Sequence, residues 1–223
     1  MSRGVFITFE GGEGCGKSTQ IGLLEERLRS AGRKLTRLRE PGGTAIGEEM
    51  RHLFQHSEVG HAMTPETELL LVNASRAQLV REVIRPALAE GQVVICDRFY
   101  DSTVAYQGYG RGLDLGVVQS VIDVAVGETR PERTFLLKAP LELSGRRVRK
   151  RAEAGEAQKD RMEEADREFF KRVERGFEAI AAASPERIHI IDSTRSIEAV
   201  HEEIWRSANA VLIGRSGDCA AVE

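Results

Sequence analysis

The chain has 223 residues, of which 41% are hydrophobic and 30% charged, the balance of an ordinary folded domain with a sizeable core. A formal net charge of −3 argues against nucleic acid as a partner, and no apolar run reaches the 18 residues that a membrane span needs. Cys15, Cys96 and Cys219 fit neither a disulfide framework nor a zinc site, so we expect reduced thiols in the cytosol.

Short apolar runs alternate with helical patterns along the chain. Strands are predicted at 4–10, 34–40, 92–97, 133–139 and 187–192, and helices at 18–32, 64–90, 116–126, 141–151, 165–183 and 196–212. Pro86 should kink or end the long second helix. This alternation predicts one α/β domain over residues 1–213, with a five-stranded parallel sheet covered by helices on both faces. Residues 214–223 lack periodicity and are predicted to be a disordered tail.

The segment "GGEGCGKS" after the first strand fits the phosphate-loop pattern G-x-x-x-x-G-K-[ST]. Its glycines let backbone N–H groups surround phosphate oxygens, and the following helix adds its positive N-terminal end. Lys17 can reach the β- and γ-phosphates, and Ser18 can bind Mg²⁺. The predicted ATP-binding residues are Gly11, Gly12, Glu13, Gly14, Cys15, Gly16, Lys17, Ser18 and Thr19.

A triphosphate site does not by itself define the reaction. The chain has no Asn-Lys-x-Asp guanine-reading motif, and it is too short for an ATPase motor. The remaining small class is a kinase of a small acceptor, in which the protein positions the phosphates and neutralises their charge.

The segment "DRFYDSTVAYQGYGR" begins where the third predicted strand ends, the edge at which open α/β sheets bind ligands. Asp97 can be a second Mg²⁺ ligand there, and Arg98 can bind an acceptor phosphate in a bidentate manner. In a helix from residue 101, Thr103 and Gln107 share one face, which suits the edge of a heterocycle. Gly108 is predicted to end this helix.

These residues resemble the thymidylate kinase family. The acceptor segment is joined, in the family's order, by "EGGEGCGKST" at 10–19, "REPGGT" at 39–44 and "DRME" at 160–163, and the resemblance spans about residues 4–212. It implies a P-loop NTPase three-layer fold with a helical lid at about 144–163. It also implies transfer of the γ-phosphate of ATP to dTMP with Mg²⁺, in a homodimer.

The resemblance also assigns roles around the acceptor. Arg98 would bind the dTMP phosphate, and Tyr106 would crowd the 2′ position of the sugar. Arg76, Thr103 and Gln107 would contact the base. The complete predicted acceptor set is Glu13, Arg39, Glu40, Arg51, Val72, Arg76, Arg98, Thr103, Tyr106 and Gln107.

The arginine-rich segment that starts at residue 146 is similar to the family's lid. Arg147 and Arg151 are i,i+4 neighbours that, with Arg161, would close over ATP and stabilise the transition state, and Arg149 is the alternative. Gly14 stands where one subgroup has an arginine, which fits the bacterial-type subgroup with its catalytic arginine in the lid. The predicted catalytic residues are Lys17, Arg98, Arg147, Arg151 and Arg161.

One position departs from the family pattern. Val72 lies where the family usually has a phenylalanine that stacks on thymine. This departure leaves open a kinase of another nucleoside monophosphate. A nucleotide-binding module that has lost turnover is a further alternative, against which Lys17, Asp97, Arg98 and the lid arginines are all present.

Overall fold

A parallel sheet of five strands forms the centre of the computed structural model, which describes residues 4–153 and 166–217. The strands are β1 (Val5–Glu10), β2 (Leu35–Arg39), β3 (Val93–Asp97), β4 (Arg133–Lys138) and β5 (Ile188–Asp192). Their order is β2-β3-β1-β4-β5, and every pairing is parallel. The predicted α/β fold is therefore confirmed.

Helices follow the strands in the alternating pattern of the sequence. They are α1 (Lys17–Ser30), α2 (Ala45–Gln55), α3 (Pro65–Leu79), α4 (Arg85–Ala89), α5 (Tyr100–Thr103), α6 (Leu115–Val126), α7 (Leu141–Glu153), α8 (Arg167–Ala183) and α9 (Ile197–Gly217). Within residues 4–153 and 166–217, none of these helices combines the length and apolar character needed to cross a bilayer.

The central strand β1 is buried on both faces, as expected for a parallel sheet. Ile7 and Phe9 point to the face covered by α1 and α9. Phe6 points to the opposite face, where α3, α4 and α6 pack. Alternate residues of one strand thus join two separate cores, which fixes the three layers around the sheet.

A third apolar cluster lies beside the sheet and supports the acceptor segment. Phe169, Val173 and Phe177 of α8 pack with Tyr106, and the rings of Phe169 and Phe177 meet the Tyr106 ring edge-on at 6.1 and 6.2 Å. The segment after β3 is therefore held between the sheet edge and α8.

Two π-helical turns interrupt the predicted helices: Pro86 does not end its helix, and the predicted helix end at Gly108 was wrong. The chain stays helical through Pro86, because a π-helical turn at Val80–Ile84 precedes it and widens the helix where the proline ring would clash with the preceding turn. After α5 a second π-helical turn, Val104–Gly110, continues past Gly108. Such turns often occur at functional sites.

The sequence patterns described two further parts of the chain poorly. The first is α2, which its periodicity did not predict. The predicted tail was wrong over residues 214–217, since α9 extends to Gly217 after Ala208 and Leu212 bury its preceding turns. Residues 218–223 and 154–165 lie outside the described residues, and the second range includes half of the predicted lid.

Candidate active site

The phosphate loop joins β1 to α1, and three of its glycines have positive φ angles. Gly11, Gly14 and Gly16 have φ values of 129°, 70° and 101°, and residues other than glycine rarely adopt this region. Lys17 Nζ donates to the carbonyl oxygens of Gly11 and Gly12 at 3.1 and 3.0 Å. The loop therefore curves around its lysine.

The first turn of α1 and the cysteine of the loop differ in exposure. Ser18 and Thr19 are exposed, whereas Cys15 is buried with Sγ 3.8 Å from Lys17 Nζ. Cys15 therefore packs inside the loop, and Ser18 lies at its open side.

The start of α7 packs directly on the phosphate loop at Gly14. A Cβ atom at this position would lie 2.5 Å from the Ser144 carbonyl oxygen, so the structure leaves no room for an arginine there. Arg147, one turn further along, donates to the Gly14 carbonyl oxygen at 3.4 Å and to the Ser193 carbonyl oxygen at 3.4 Å. Among the described lid arginines, Arg147 therefore makes a hydrogen bond to the loop.

The other predicted lid arginines are described less fully. Arg149 lines the groove beside the phosphate loop. Arg151 lies on α7, but its side chain falls outside the described residues, as does all of Arg161.

Arg98 connects the end of β3 to the phosphate loop. It has a left-handed φ of 68°, and its N–H donates to the Phe9 carbonyl oxygen at 2.9 Å. Its guanidinium donates to the Gly11 carbonyl oxygen at 3.0 Å, to Ser102 Oγ at 3.1 Å and to Glu13 Oε1 at 2.5 Å. The turn thus directs a positive charge to the loop that would bind ATP.

Glu10, which the sequence analysis did not predict as a site residue, fixes this turn through hydrogen bonds. One carboxylate oxygen accepts the N–H groups of Phe99 and Ser102 at 2.8 and 3.3 Å, and the other accepts Ser102 Oγ at 2.5 Å. Burial, together with nearby Asp101, raises the pKa of Glu10 to about 7 against the opposing effect of Arg98.

An acceptor cavity opens beside Arg98 at the carboxyl edge of the sheet. Its lining residues are Glu13, Glu40, Pro41, Phe54, Gln55, Val72, Arg76, Arg98, Phe99, Ser102, Thr103, Tyr106 and Gln107. The structure thus brings Thr103, Tyr106 and Gln107 to one cavity with Val72 and Arg76.

A second groove of about 860 Å³ runs from the phosphate loop between α7 and α8. Glu13 and Tyr106 line both the groove and the acceptor cavity. The two concave sites therefore meet at these residues, next to Arg98.

Arg76 is fully buried and held by two partners. Its Nε donates to Glu40 Oε2 and its Nη1 donates to Asn73 Oδ1, both at 2.7 Å. Burial raises the pKa of Glu40 to about 7, against the lowering effect of Arg76. Asn73 was not predicted as a site residue, and the structure makes it the group that orients Arg76.

Gln107 is positioned by a buried carboxylate that the sequence analysis also missed. Its Nε2 donates to Glu68 Oε2 at 3.4 Å, and Arg111 donates to both Glu68 oxygens at 3.0 and 2.9 Å. A signal was present, because Glu68, Val72 and Arg76 follow one another at i,i+4 spacing on one face of α3.

Arg39 and Arg51 lie outside the residues that line the cavity. Arg39 is about half exposed and pairs with Glu48 at 2.8 Å. Arg51 donates to the Pro41 carbonyl oxygen at 2.9 Å and so supports the loop that carries Glu40. Arg51 therefore contacts the wall of the cavity from behind, whereas Arg39 pairs with Glu48, which accepts the Gly43 N–H of the same loop.

Asp97 and Ser18 are the candidate metal ligands. Asp97 ends β3 opposite Phe9 of β1, and its buried Oδ1 has no hydrogen-bond partner within the described part of the chain. A buried carboxylate oxygen of this kind and an exposed Ser18 hydroxyl suit Mg²⁺, which prefers oxygen ligands and is commonly bound by one or two protein groups plus phosphates.

A phosphate loop that meets a separate acceptor cavity beside a partly buried arginine defines a P-loop phosphotransferase of small acceptors. The family model described as thymidylate kinase matches residues 9–204. The chain therefore belongs to the thymidylate kinase family.

Individual relatives agree with this assignment over nearly the whole chain. The thymidylate kinase of Synechococcus sp. (strain JA-3-3Ab) is 50% identical over 90% of this chain and 93% of its own. That of Deinococcus radiodurans is 45% identical over 94% of this chain and 98% of its own. A crystal structure of thymidylate kinase from Ehrlichia chaffeensis is 33% identical with a TM-score of 0.73, covering 93% of this chain and 99% of that one.

The raised pKa of Glu10 predicts that stability falls with rising pH. In the folded protein Glu10 keeps its proton up to about pH 7, whereas its ordinary pKa is 4.5. The stability that the bound proton contributes to the folded state is therefore fully present below pH 4.5 and lost above about pH 7. Glu10→Gln cannot ionise. Between pH 5 and pH 8 we therefore expect its free energy of unfolding to rise by up to about 3 kcal/mol relative to that of the original chain. Urea unfolding of both proteins at both pH values measures this, and parallel pH dependences would contradict it.

Proposed function

We propose that this protein transfers the γ-phosphoryl group of ATP to dTMP, giving dTDP and ADP. The observation that carries the proposal is the meeting of the phosphate-loop groove and the acceptor cavity at Glu13 and Tyr106, beside Arg98. Membership of the thymidylate kinase family supports the choice of dTMP as acceptor.

In the proposed reaction an oxygen of the dTMP phosphate attacks the γ-phosphorus of ATP. The new P–O bond forms as the bond to the β,γ-bridging oxygen breaks, and ADP leaves with that electron pair. The acceptor oxygen is already anionic, so the protein contributes position and positive charge instead of a base.

Three cations supply that charge from three elements. Lys17 lies inside the phosphate loop, Arg98 lies at the end of β3, and Arg147 reaches the loop from α7. We assign Lys17 to the β- and γ-phosphates, Arg98 to the acceptor phosphate and Arg147 to the developing charge in the transition state. Arg151 and Arg161 join Arg147 in the proposed lid.

The proposed assignment of Arg98 is supported by its partners. Glu13 and the Gly11 carbonyl oxygen hold its guanidinium at the junction of the two cavities, where an acceptor phosphate must lie to reach ATP. The pKa of Arg98 is raised, since Tyr106, Glu13, Asp97 and Glu10 together outweigh burial, the largest single effect. The group therefore stays positive at every working pH.

We propose that Ser18 and Asp97 hold Mg²⁺ in the ATP complex. The Ser18 hydroxyl lies at the start of α1, and the Asp97 carboxylate lies at the neighbouring strand end. When bound, Mg²⁺ neutralises charge on the β- and γ-phosphates.

The base is assigned to the far part of the acceptor cavity, and the sugar to the part beside Tyr106. Arg76 is kept rigid by Glu40 and Asn73, which suits a fixed donor toward a base oxygen. Thr103 and Gln107 provide a hydroxyl and an amide for the base edge, and Tyr106 crowds the 2′ position and favours deoxyribose. Arg51 and Arg39 support the loop that forms the wall.

A panel of nucleoside monophosphates, assayed with ATP and Mg²⁺ by ADP release, tests the proposal. We expect dTMP to give the highest kcat/KM. If another monophosphate exceeds dTMP, the protein is a kinase of that nucleotide, the alternative that Val72 left open. Nucleotide binding without turnover of any monophosphate would instead indicate a binding module.

Replacing Arg98 by alanine should affect the two substrates unequally. We expect the KM for dTMP to rise by at least about tenfold while the KM for ATP changes little, because a charge-assisted bond to the acceptor is lost. Lys17→Ala is the comparison variant, and it should reduce kcat by about 100-fold or more with the fold intact. Steady-state kinetics with each substrate varied will measure both, and equal losses for ATP and dTMP in Arg98→Ala would reassign that residue.

We propose further that two copies of the chain associate through α3 and α6. These helices pack side by side and expose large apolar side chains, with Leu70 59%, Val117 56% and Val124 77% exposed. Neighbouring exposed apolar residues on adjacent helices are typical of protein interfaces.

The association predicts a dimer that a charge on this surface disrupts. We expect light scattering to give twice the mass of the chain, and Val124→Asp to shift the protein toward the monomer. Val59→Asp, at another exposed valine outside these two helices, is the control. A monomeric mass for the original chain would contradict the association.

A further inference from the structure

Three aromatic side chains line the acceptor cavity, and their surroundings differ. The Phe99 ring packs edge-on with Phe6 at 4.9 Å and lies beneath the Arg76 guanidinium at 5.4 Å. The Tyr106 ring lies beneath the Arg98 guanidinium at 5.2 Å, at the end of the cavity assigned to phosphate and sugar. The third ring is that of Phe54, from the last turn of α2.

The packing of α2 against α3 brings Phe54 to the part of the cavity assigned to the base. A Cβ atom on Gly47 would lie 3.1 Å from Ser75 Oγ, so the two helices touch closely there. The connection between them is short, residues 56–64, and they run antiparallel. Phe54 lies two turns beyond Gly47 and therefore faces the segment of α3 that carries Val72, with which it shares an apolar cluster.

Two buried oxygens of the cavity lining lack a hydrogen-bond donor among the described residues. Within the described residues, Gln55 Oε1 and Glu40 Oε1 are buried without a hydrogen-bond partner, and both residues line the cavity. An unsatisfied buried polar atom is costly, so both oxygens can accept a hydrogen bond from an N–H or O–H group of a ligand that enters the cavity. A nucleobase has such groups at its edge and a flat apolar face between them.

We propose that Phe54 supplies the flat face against which the base of the acceptor nucleotide stacks, in place of an aromatic residue at position 72. A valine at that position can touch the base but has no ring, and the ring comes from the facing helix. The inference rests on the proposed function, because it takes the cavity as the acceptor-nucleotide site.

The test compares Phe54→Ala with Val72→Ala, which also removes apolar contact from this cavity but no ring. We expect Phe54→Ala to raise the KM for dTMP by about tenfold or more, with kcat and the KM for ATP nearly unchanged, as for loss of one base–aromatic stack. Val72→Ala should raise the KM for dTMP by less than about threefold. Phe54→Tyr, which keeps the ring, should retain the original KM.

A second ligand separates stacking from general packing. Inhibition by 2-deoxyribose 5-phosphate, which has no base, should be unchanged in Phe54→Ala. Equal weakening of this inhibitor and of dTMP would overturn the proposal and make Phe54 a packing residue. If Phe54→Ala does not fold, Phe54→Leu provides the same comparison, with the melting temperature as the measure of folding.

Returning the ring to α3 provides an independent check. The double variant Phe54→Leu, Val72→Phe should recover most of the dTMP affinity lost in Phe54→Leu, and failure to recover any of it would argue against a shared stacking site. If the original chain prefers another monophosphate, the proposed acceptor is wrong, and the same variants measured with the preferred monophosphate still decide the role of Phe54. Absence of all turnover would overturn both proposals.

Discussion

The buried carboxyl group of Glu10 connects the two halves of the active site. It lies at the end of the central strand, directly before the phosphate loop, and it accepts hydrogen bonds from the first turn of the acceptor segment at Phe99 and Ser102. Ser102 in turn accepts a hydrogen bond from Arg98, whose guanidinium also binds the loop carbonyl of Gly11. One hydrogen-bonded chain therefore sets the distance between donor and acceptor sites.

Burial makes the acceptor cavity specific at some expense of stability. Arg76 with Glu40 and Asn73, and Glu68 with Arg111 and Gln107, are polar groups removed from water and retained by mutual hydrogen bonds. Buried ion pairs of this kind seldom stabilise a fold relative to apolar packing, but they keep donors in one orientation. A ligand that leaves the remaining buried oxygen, Glu40 Oε1, unpaired would be disfavoured.

The sequence was informative where the physics is local and less so where it depends on the tertiary structure. Strand and helix periodicity predicted the parallel sheet, and the motifs located the phosphate loop and the segment after β3. The π-helical turns before Pro86 and around Gly108 were missed, because they depend on packing against other elements. Glu10 and Asn73 were missed since their roles arise from contacts: Glu10 meets Ser102 across 92 positions of the chain. Phe54 likewise reaches the cavity only through the packing of α2 on α3.

The close approach of Gly14 to Ser144 limits which residues this chain can carry at position 14. In the proposed mechanism lid arginines supply the positive charge for the transition state, and an arginine in the phosphate loop would be an alternative source of that charge. With α7 seated on the loop, a side chain at position 14 would meet the backbone of that helix at 2.5 Å. Replacing Gly14 alone by arginine would therefore disrupt the packing of α7 on the phosphate loop, although it would add a positive charge there. An arginine at position 14 requires α7 to move away from the phosphate loop first.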